Sequence, residues 1–210
     1  MKVIKAGYEI LTAISEGGVE ELQHIEKIGR VCYKSEDKIT SDGESARKFV
    51  KMIIDRGHEA MIEHSSLSVK FIVDRGVSHE LVRHRIASFA QESTRYCNYS
   101  KDKFDNGITF IKPFFFGDTK YQRWLAAMAD AESAYLDLLN SGATPQEARS
   151  VLPNSTKTEI VITANYREWR NFFKLRTAKA AHPQMREVTI PLLKELKEKL
   201  PIIFDDIIEE

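Results

Sequence analysis

The chain alternates between two hydrophobic periods, and this alternation constrains its fold more than any other feature. Apolar residues recur at helical spacing in 20–33, 119–140 and 188–200, whereas residues 66–73 alternate apolar and polar side chains as a half-buried strand does. A β-branched run over 159–164 predicts a further strand late in the chain. The pattern therefore predicts a mixed α+β fold with most strands in the first half.

Size and composition set the scale of this fold. A chain of 210 residues with 42% hydrophobic content can bury a substantial core, and its length predicts one domain over residues 1–210. Lys plus Arg number 31, as do Asp plus Glu, so no bulk positive field recruits nucleic acid or an anionic membrane. The sequence has no run of 18 apolar residues and no signal peptide, which predicts a soluble cytoplasmic protein. Cys32 and Cys97 are expected to be free thiols.

Capping residues predict where several helices begin. Thr144, Pro145 and Glu147 form a capping signature for a short helix that ends at Arg149. Ser41-Asp42 is expected to cap a helix that continues through Ile54, and another short helix is expected over 78–84. The wide apolar stripe on 119–140 fits either core packing or contacts between subunits.

The densest group of chemically active residues lies between Arg83 and Tyr96. These fourteen residues contain three arginines and a histidine. Arg83, His84 and Arg85 cannot all face water from one helix, because consecutive side chains lie about 100° apart. At least one is expected to point inward, where a guanidinium needs an anionic or carbonyl partner. A solvated basic face is the alternative.

This segment resembles the signature of the flavin-dependent thymidylate synthases, which is R-H-R, seven residues, then S, here Arg83-His84-Arg85 and Ser93. Further segments resemble the same family in the same order: Arg30-Val31-Cys32-Tyr33, Gly57-His58-Glu59 with Glu63-His64, 148–153, and Asn165-Tyr166-Arg167 through Asn171 to Arg176. Together they span roughly residues 30–185. The resemblance implies a mostly antiparallel sheet flanked by helices, a homotetramer with ligands at subunit junctions, and no metal.

The resemblance also implies a reaction. Deoxyuridylate (dUMP) would be methylated to dTMP with 5,10-methylenetetrahydrofolate as carbon donor, FADH2 as hydride donor and NADPH as reductant, without a protein nucleophile. Arg176 would be the catalytic residue, because a fixed cation stabilises an ionised uracil ring. The positions implied to bind dUMP are Glu80, Leu81, Val82, Arg83, Gln91, Glu92, Ser93, Thr94, Arg95, Arg149 and Arg176. The positions implied to bind FAD are His58, Ala60, Arg83, His84, Arg85, Gln91, Asn165, Tyr166, Arg167 and Asn171.

The chain departs from the family pattern at three positions. Many members carry Gln where this chain has Glu80 and Glu where it has Gln91, so we expect the two side chains to be neighbours that have exchanged roles. Ala60 stands where relatives often have a hydroxyl, so any contact with FAD there must use the backbone. The role of His182, and of the segment 177–184 that contains it, is left open.

Three other interpretations fit the sequence less well. Zinc binding by His58 and His64 fails, because the two are six apart and helical zinc ligands need an i, i+4 spacing. A nucleic-acid-binding module would use Arg83 to Arg95 with Phe89, Tyr96 and Tyr99 as stacking platforms, but the zero net charge disfavours it. A cysteine-dependent mechanism through Cys97 lacks a neighbouring histidine that would lower the thiol pKa.

Overall fold

The structure, a computed structural model, describes residues 1–209. The strands are β1 (Lys2–Ile4), β2 (Gly7–Ile10), β3 (Ser66–Asp74), β4 (Ser88–Gln91), β5 (Thr109–Ile111) and β6 (Lys157–Asn165). The helices are α1 (Val19–Tyr33), α2 (Glu44–Asp55), α3 (Arg75–Leu81), α4 (Asp118–Asn140), α5 (Pro145–Ala148), α6 (Tyr166–Arg176) and α7 (Pro183–Lys199). The predicted mixed α+β class is therefore confirmed.

Two sheets organise the strands. The larger is an antiparallel four-stranded sheet with the order β2-β3-β6-β4. The smaller pairs β1 with β5 in parallel, with Lys2 opposite Thr109 and Ile4 opposite Ile111. Along β3 and β6 buried residues alternate with less buried ones, as the sequence period predicted.

The chain divides into two compact units. The first contains residues 1–8, 70–84 and 89–161. Its hydrophobic core includes Phe110, Met128 and Tyr135, and the latter two are the buried residues of α4. The other residues of the α4 stripe are partly exposed, but Trp124 and Leu138 still pack against this core, so the stripe contributes to core packing along its length. The prediction of one domain over 1–210 stays a prediction.

The second unit contains residues 9–69, 85–88 and those from 162 onward. Trp169 stacks on Phe173 with ring centroids 5.7 Å apart, and Phe173 meets Phe204 edge-on at 5.6 Å. Asn165 starts α6, because its side-chain oxygen accepts a hydrogen bond from the Glu168 backbone N–H at 2.8 Å. His182 caps α7 through a 3.3 Å hydrogen bond from the Gln184 backbone N–H to Nδ1, which gives this histidine a structural role.

Several predicted boundaries were wrong by a few residues. The helix expected over 78–84 is α3, which starts at Arg75 under an Asp74 cap and ends at Leu81. The second helix starts at Glu44 with Gly43 as its formal N-cap, although Asp42 Oδ1 still accepts from the Glu44 N–H at 3.0 Å. Cys32 and Cys97 are free, as expected. No helix within 1–209 is both long and apolar enough to cross a membrane.

Candidate active site

The R-H-R segment places its histidine inside and its arginines outside. His84 is buried, whereas the side chains of Arg83 and Arg85 are exposed. The expectation that one of the three points inward is confirmed, and the buried one is the histidine. The two guanidinium groups are therefore accessible to an anionic ligand.

A tight turn follows β4 in the first unit, and we call residues 93–96 the phosphate turn. The Tyr96 N–H donates to the Ser93 carbonyl at 3.1 Å, and the Arg95 N–H donates to Ser93 Oγ at 3.3 Å. Within the described residues, the backbone N–H groups of Ser93 and Thr94 donate to no protein group. Two adjacent backbone N–H groups without protein acceptors, next to an exposed arginine, are donors that a phosphate can use.

Arg149, which follows α5, contacts this turn. Its Nη1 donates to Thr94 Oγ1 at 3.5 Å. The capping box predicted for its helix is present, since Glu147 Oε2 accepts from the Thr144 N–H at 2.8 Å. The structure thus brings Arg149 next to Thr94, fifty-five residues away in sequence.

The orientation of the Gln91 amide is fixed by its partners. Ser78 Oγ donates its only hydrogen to the Arg75 carbonyl at 3.0 Å, so toward Gln91 it can only accept. Gln91 Nε2 therefore faces Ser78 Oγ at 2.9 Å and Thr158 Oγ1 at 3.2 Å. The Gln91 side-chain oxygen is left as an acceptor, and Gln91 is one of the residues that line a cavity of about 430 Å³. The expectation that Gln91 and Glu80 are neighbours that have exchanged roles stays a prediction.

Other positions predicted to bind dUMP differ in accessibility. Leu81 is fully buried, whereas Val82 is 41% exposed. Thr94 is buried, and Arg95 extends over the Tyr96 ring at 5.5 Å. The carboxylate of Glu92 is occupied by Lys157 and Tyr99.

The second unit contains a cavity of about 510 Å³ along one face of α6. Asn165, Arg167 and Asn171, all predicted to bind FAD, line it. Because the Asn165 oxygen is used as the helix cap, its Nδ2 remains as a donor toward the cavity. The sequence did not single out Glu63, Ile86 or Lys174 as ligand-binding residues, but they also line this cavity. Glu63 lies in a family-matching segment, and Lys174 follows Arg167 by seven residues on the same helical face.

Carboxylates hold the arginine of this cavity in place. Arg167 Nη1 lies 2.5 Å from Glu63 Oε1, and its Nε lies 3.7 Å from Glu59 Oε2. The hydrogen bond to Glu63 raises the pKa of Arg167. Glu59 Oε1 also accepts from Arg170 Nε at 3.0 Å, so one carboxylate joins an exposed and a buried guanidinium.

The remaining predicted flavin residues are arranged as follows. The exposed His58 precedes a 3₁₀ segment, and its Nδ1 lies 3.3 Å from the Tyr33 hydroxyl. Tyr166 is 1% exposed and belongs to the core, so only its backbone is accessible to a ligand. Ala60 is exposed and has no polar side chain, as noted from the sequence.

The donors and acceptors of the cavity fit a flavin. Amide N–H groups of Asn165 and Asn171 and the Arg167 guanidinium match ring carbonyls, whereas Glu59 and Glu63 match sugar hydroxyls. Arg176 ends α6 in the same unit, with its side chain half-buried. No group of three His, Cys, Asp or Glu in 1–209 could hold a metal ion.

Comparison with known proteins decides the family. The family model described as thymidylate synthase complementing protein, Thy1, matches residues 19–202. The chain belongs to the Thy1 family. The "Flavin-dependent thymidylate synthase" of Corynebacterium aurimucosum is 33% identical over 92% of this chain and 82% of its own length. That of Mycobacterium avium is 35% identical over 87% and 78%, and that of Geobacter sulfurreducens 34% over 84% and 78%.

The fold of this Thy1 member also matches a solved structure. It is similar to a UMP/dUMP methylase, PolB from Streptomyces cacaoi bound with 5-Br dUMP, with a TM-score of 0.76. The match covers 98% of this chain and 96% of that one, at 23% sequence identity. At this identity the match establishes the fold, and it agrees with the family assignment from sequence.

Proposed function

We propose that this Thy1 protein converts dUMP to dTMP as a flavin-dependent thymidylate synthase in the cytoplasm. The observation that carries the proposal is the phosphate turn, where two unpaired backbone N–H groups lie beside Arg95 and Arg149. A nucleoside monophosphate supplies the dianion that such a donor set accepts. Membership in the Thy1 family and the flavin-compatible cavity along α6 support the same conclusion.

The nucleotide is bound by the first unit in this proposal. The Ser93 and Thr94 N–H groups, with Ser93 Oγ, Arg95 and Arg149, hold the phosphate. The Gln91 oxygen accepts from a hydroxyl or imide N–H of the nucleoside, because its amide hydrogens are already used. Of the other predicted positions, Arg83 adds charge, Glu80 and Val82 lie beside the nucleotide, and the fully buried Leu81 supports them from the core.

Arg176 activates the uracil ring. A guanidinium beside the pyrimidine stabilises negative charge on the ring when N3 ionises, which makes C5 a better nucleophile without a thiolate. Burial and the nearby Glu92 carboxylate raise the pKa of the Cys97 thiol, so that thiol is poorly suited to act as the nucleophile.

Asn165, Arg167 and Asn171 hold the flavin, together with His58, His84 and Arg85. When bound, the reduced flavin supplies the hydride, methylenetetrahydrofolate supplies the carbon unit, and NADPH re-reduces the flavin. The chain's residues bind, orient and polarise, and Glu63 keeps Arg167 oriented toward the cavity.

The test combines three readouts on the purified protein. The wild type should be yellow, oxidise NADPH, and release tritium from C5-labelled dUMP only when methylenetetrahydrofolate and FAD are present. Arg176→Ala should lose at least about 100-fold in kcat for tritium release. Arg123→Ala, an exposed arginine on α4, is the matched control and should keep full turnover.

A colourless protein that releases no tritium would remove the proposal. If such a protein also bound DNA with a steep salt dependence, the nucleic-acid-binding alternative would replace it. The described residues show no feature that favours that alternative.

A further inference from the structure

A partly buried ion pair lies at the base of the phosphate turn. Glu92 directly precedes the turn, and its side chain is 11% exposed. One carboxylate oxygen accepts from Lys157 Nζ at 2.9 Å, and the other accepts from the Tyr99 hydroxyl at 2.8 Å. We call Glu92, Lys157 and Tyr99 the Glu92 clasp.

Each partner of Glu92 is fixed in a different part of the first unit. Lys157 lies on β6 and makes a second contact with Glu159 Oε1 at 2.8 Å. Tyr99 is 4% exposed, and its ring lies 5.7 Å from Tyr135 on α4. Because Glu92 and Tyr99 flank residues 93–98, their hydrogen bond joins the two ends of the segment that contains the phosphate turn.

The clasp keeps its donors protonated at neutral pH. Burial opposes the charge of Lys157, but hydrogen bonds to Glu159 and Glu92 outweigh burial and raise its pKa. Burial and then the charge of Glu92 raise the pKa of Tyr99. Both donors therefore remain available to the carboxylate throughout the range in which enzymes are assayed.

Glu92 has little capacity left to bind a ligand itself. Both carboxylate oxygens have protein donors, and the Glu92 backbone N–H donates to the Glu159 carbonyl at 2.9 Å. The residue is therefore better suited to hold the turn than to contact the nucleotide. This differs from the direct contact with dUMP that the family resemblance implies for Glu92.

We propose that the Glu92 clasp is a positioning device that sets the affinity of the phosphate turn for the nucleotide's phosphate. The Ser93 and Thr94 N–H groups can bind a dianion well only if they converge before the ligand arrives, since ordering them on binding weakens affinity. The clasp fixes the chain on both sides of these donors. This inference rests on the proposed function, because it assumes that the turn binds the phosphate of dUMP.

The test separates phosphate binding from everything else that the protein binds. Dissociation constants for dUMP, for deoxyuridine, which lacks the phosphate, and for FAD are measured by titration calorimetry or flavin fluorescence. In Glu92→Gln and Lys157→Met, the dissociation constant for dUMP should rise about tenfold. The dissociation constants for deoxyuridine and FAD should stay within about twofold of wild type. In turnover, KM for dUMP should rise while kcat stays nearly constant.

Three further variants sharpen the comparison. Lys157→Arg restores a charged donor to Glu92 and should recover most of the dUMP affinity. Lys51→Met removes the exposed Lys51–Asp55 pair at 3.1 Å and should change none of the three constants. Tyr99→Phe removes one hydrogen bond of the clasp and keeps the buried ring. If Glu92→Gln does not fold, the dUMP affinity of Tyr99→Phe tests the proposal instead.

Three results would overturn the proposal. Unchanged dUMP affinity in all clasp variants would show that the turn needs no clasp. Equal weakening of dUMP, deoxyuridine and FAD would show that the clasp supports the fold in general. Wild-type protein that binds dUMP no more tightly than deoxyuridine would remove the phosphate site, and with it the proposed function, before any variant is compared.

Discussion

The hydrogen-bond partners of Gln91 determine which of its polar atoms remains available to a ligand. The family pattern has Glu at this position, and a carboxylate only accepts hydrogen bonds. Here Ser78 and Thr158 accept both amide hydrogens, so the Gln91 side chain also retains only an acceptor for a ligand. The substitution therefore removes a charge and preserves the acceptor.

Gln91→Met should raise KM for dUMP by about tenfold or more, because it removes the acceptor and takes the Gln91 donor away from the Ser78 and Thr158 hydroxyls. Gln91→Glu should be milder, because Thr158 can turn its hydroxyl to donate to the carboxylate. Steady-state KM for dUMP checks both, with Gln122→Met on exposed α4 as control. Equal damage in the two Gln91 variants would contradict this account.

Cys97 should be dispensable for chemistry. Burial and Glu92 raise the pKa of its thiol, so little thiolate exists at neutral pH. We expect Cys97→Ala to keep kcat within roughly twofold of wild type, because no step of the proposed mechanism uses the thiol. The measurement is tritium release from C5-labelled dUMP, and a loss of several orders of magnitude would establish a cysteine-dependent mechanism.

The short helix α5 links local capping to ligand binding. Thr144→Val removes the hydroxyl that lies 2.6 Å from Glu147 Oε2, so the helix start should fray. Because Arg149 follows this helix directly, KM for dUMP should rise roughly two- to fivefold with kcat unchanged. Thr144→Ser keeps the hydroxyl and should restore the wild-type KM.

Arg170 fastens α6 to the segment after α7. Its guanidinium donates to both oxygens of Asp206, at 2.6 and 2.7 Å, and to the Ile203 carbonyl. Asp206 is half-exposed, so solvent screens this pair in part. Asp206→Asn should lower the free energy of unfolding by about 1–2 kcal/mol, as measured by urea denaturation. The control variant Asp55→Asn, which alters an exposed pair, should change it little.

The same pair predicts a pH dependence of stability. The hydrogen bond from Arg170 holds the pKa of Asp206 below its ordinary value of 3.8. A depressed carboxyl pKa adds stability that is complete above pH 3.8 and is lost as the pH falls through the lower, folded-state value. Wild type should therefore lose more stability on acidification below pH 3.8 than Asp206→Asn does, and parallel curves would exclude the effect.

Exposed apolar residues indicate how whole chains associate. Tyr96 and Ile86, beside predicted ligand positions, are 78% and 69% exposed, and most of the α4 stripe is also accessible. Because such residues commonly mark contact surfaces, we propose a homotetramer. Light scattering after size exclusion should give four times the 24.1 kDa chain mass, and a monomer at micromolar concentration would contradict the proposal.

Sequence patterns predicted the elements better than their arrangement. Helical periodicity placed α4 within one residue of its observed start, and the Thr144 capping box was confirmed, because both signals are local. The predicted end of α3 was wrong because Arg83, His84 and Arg85 show no hydrophobic periodicity that would mark where the helix ends. The Glu92–Lys157 pair spans sixty-five residues, and the two units interleave along the chain. Such long-range contacts leave no local signature in one sequence.

The Arg170–Asp206 contact should also make the protease sensitivity of the segment after Lys199 depend on cofactor binding along α6. Arg170 lies one helical turn from Arg167, so a flavin that rigidifies α6 should also hold the stretch after Lys199, although that stretch lies outside the cavity lining. Protease digestion of this stretch should therefore slow as cofactor is added. A gel time course would then track cofactor loading without reference to absorbance.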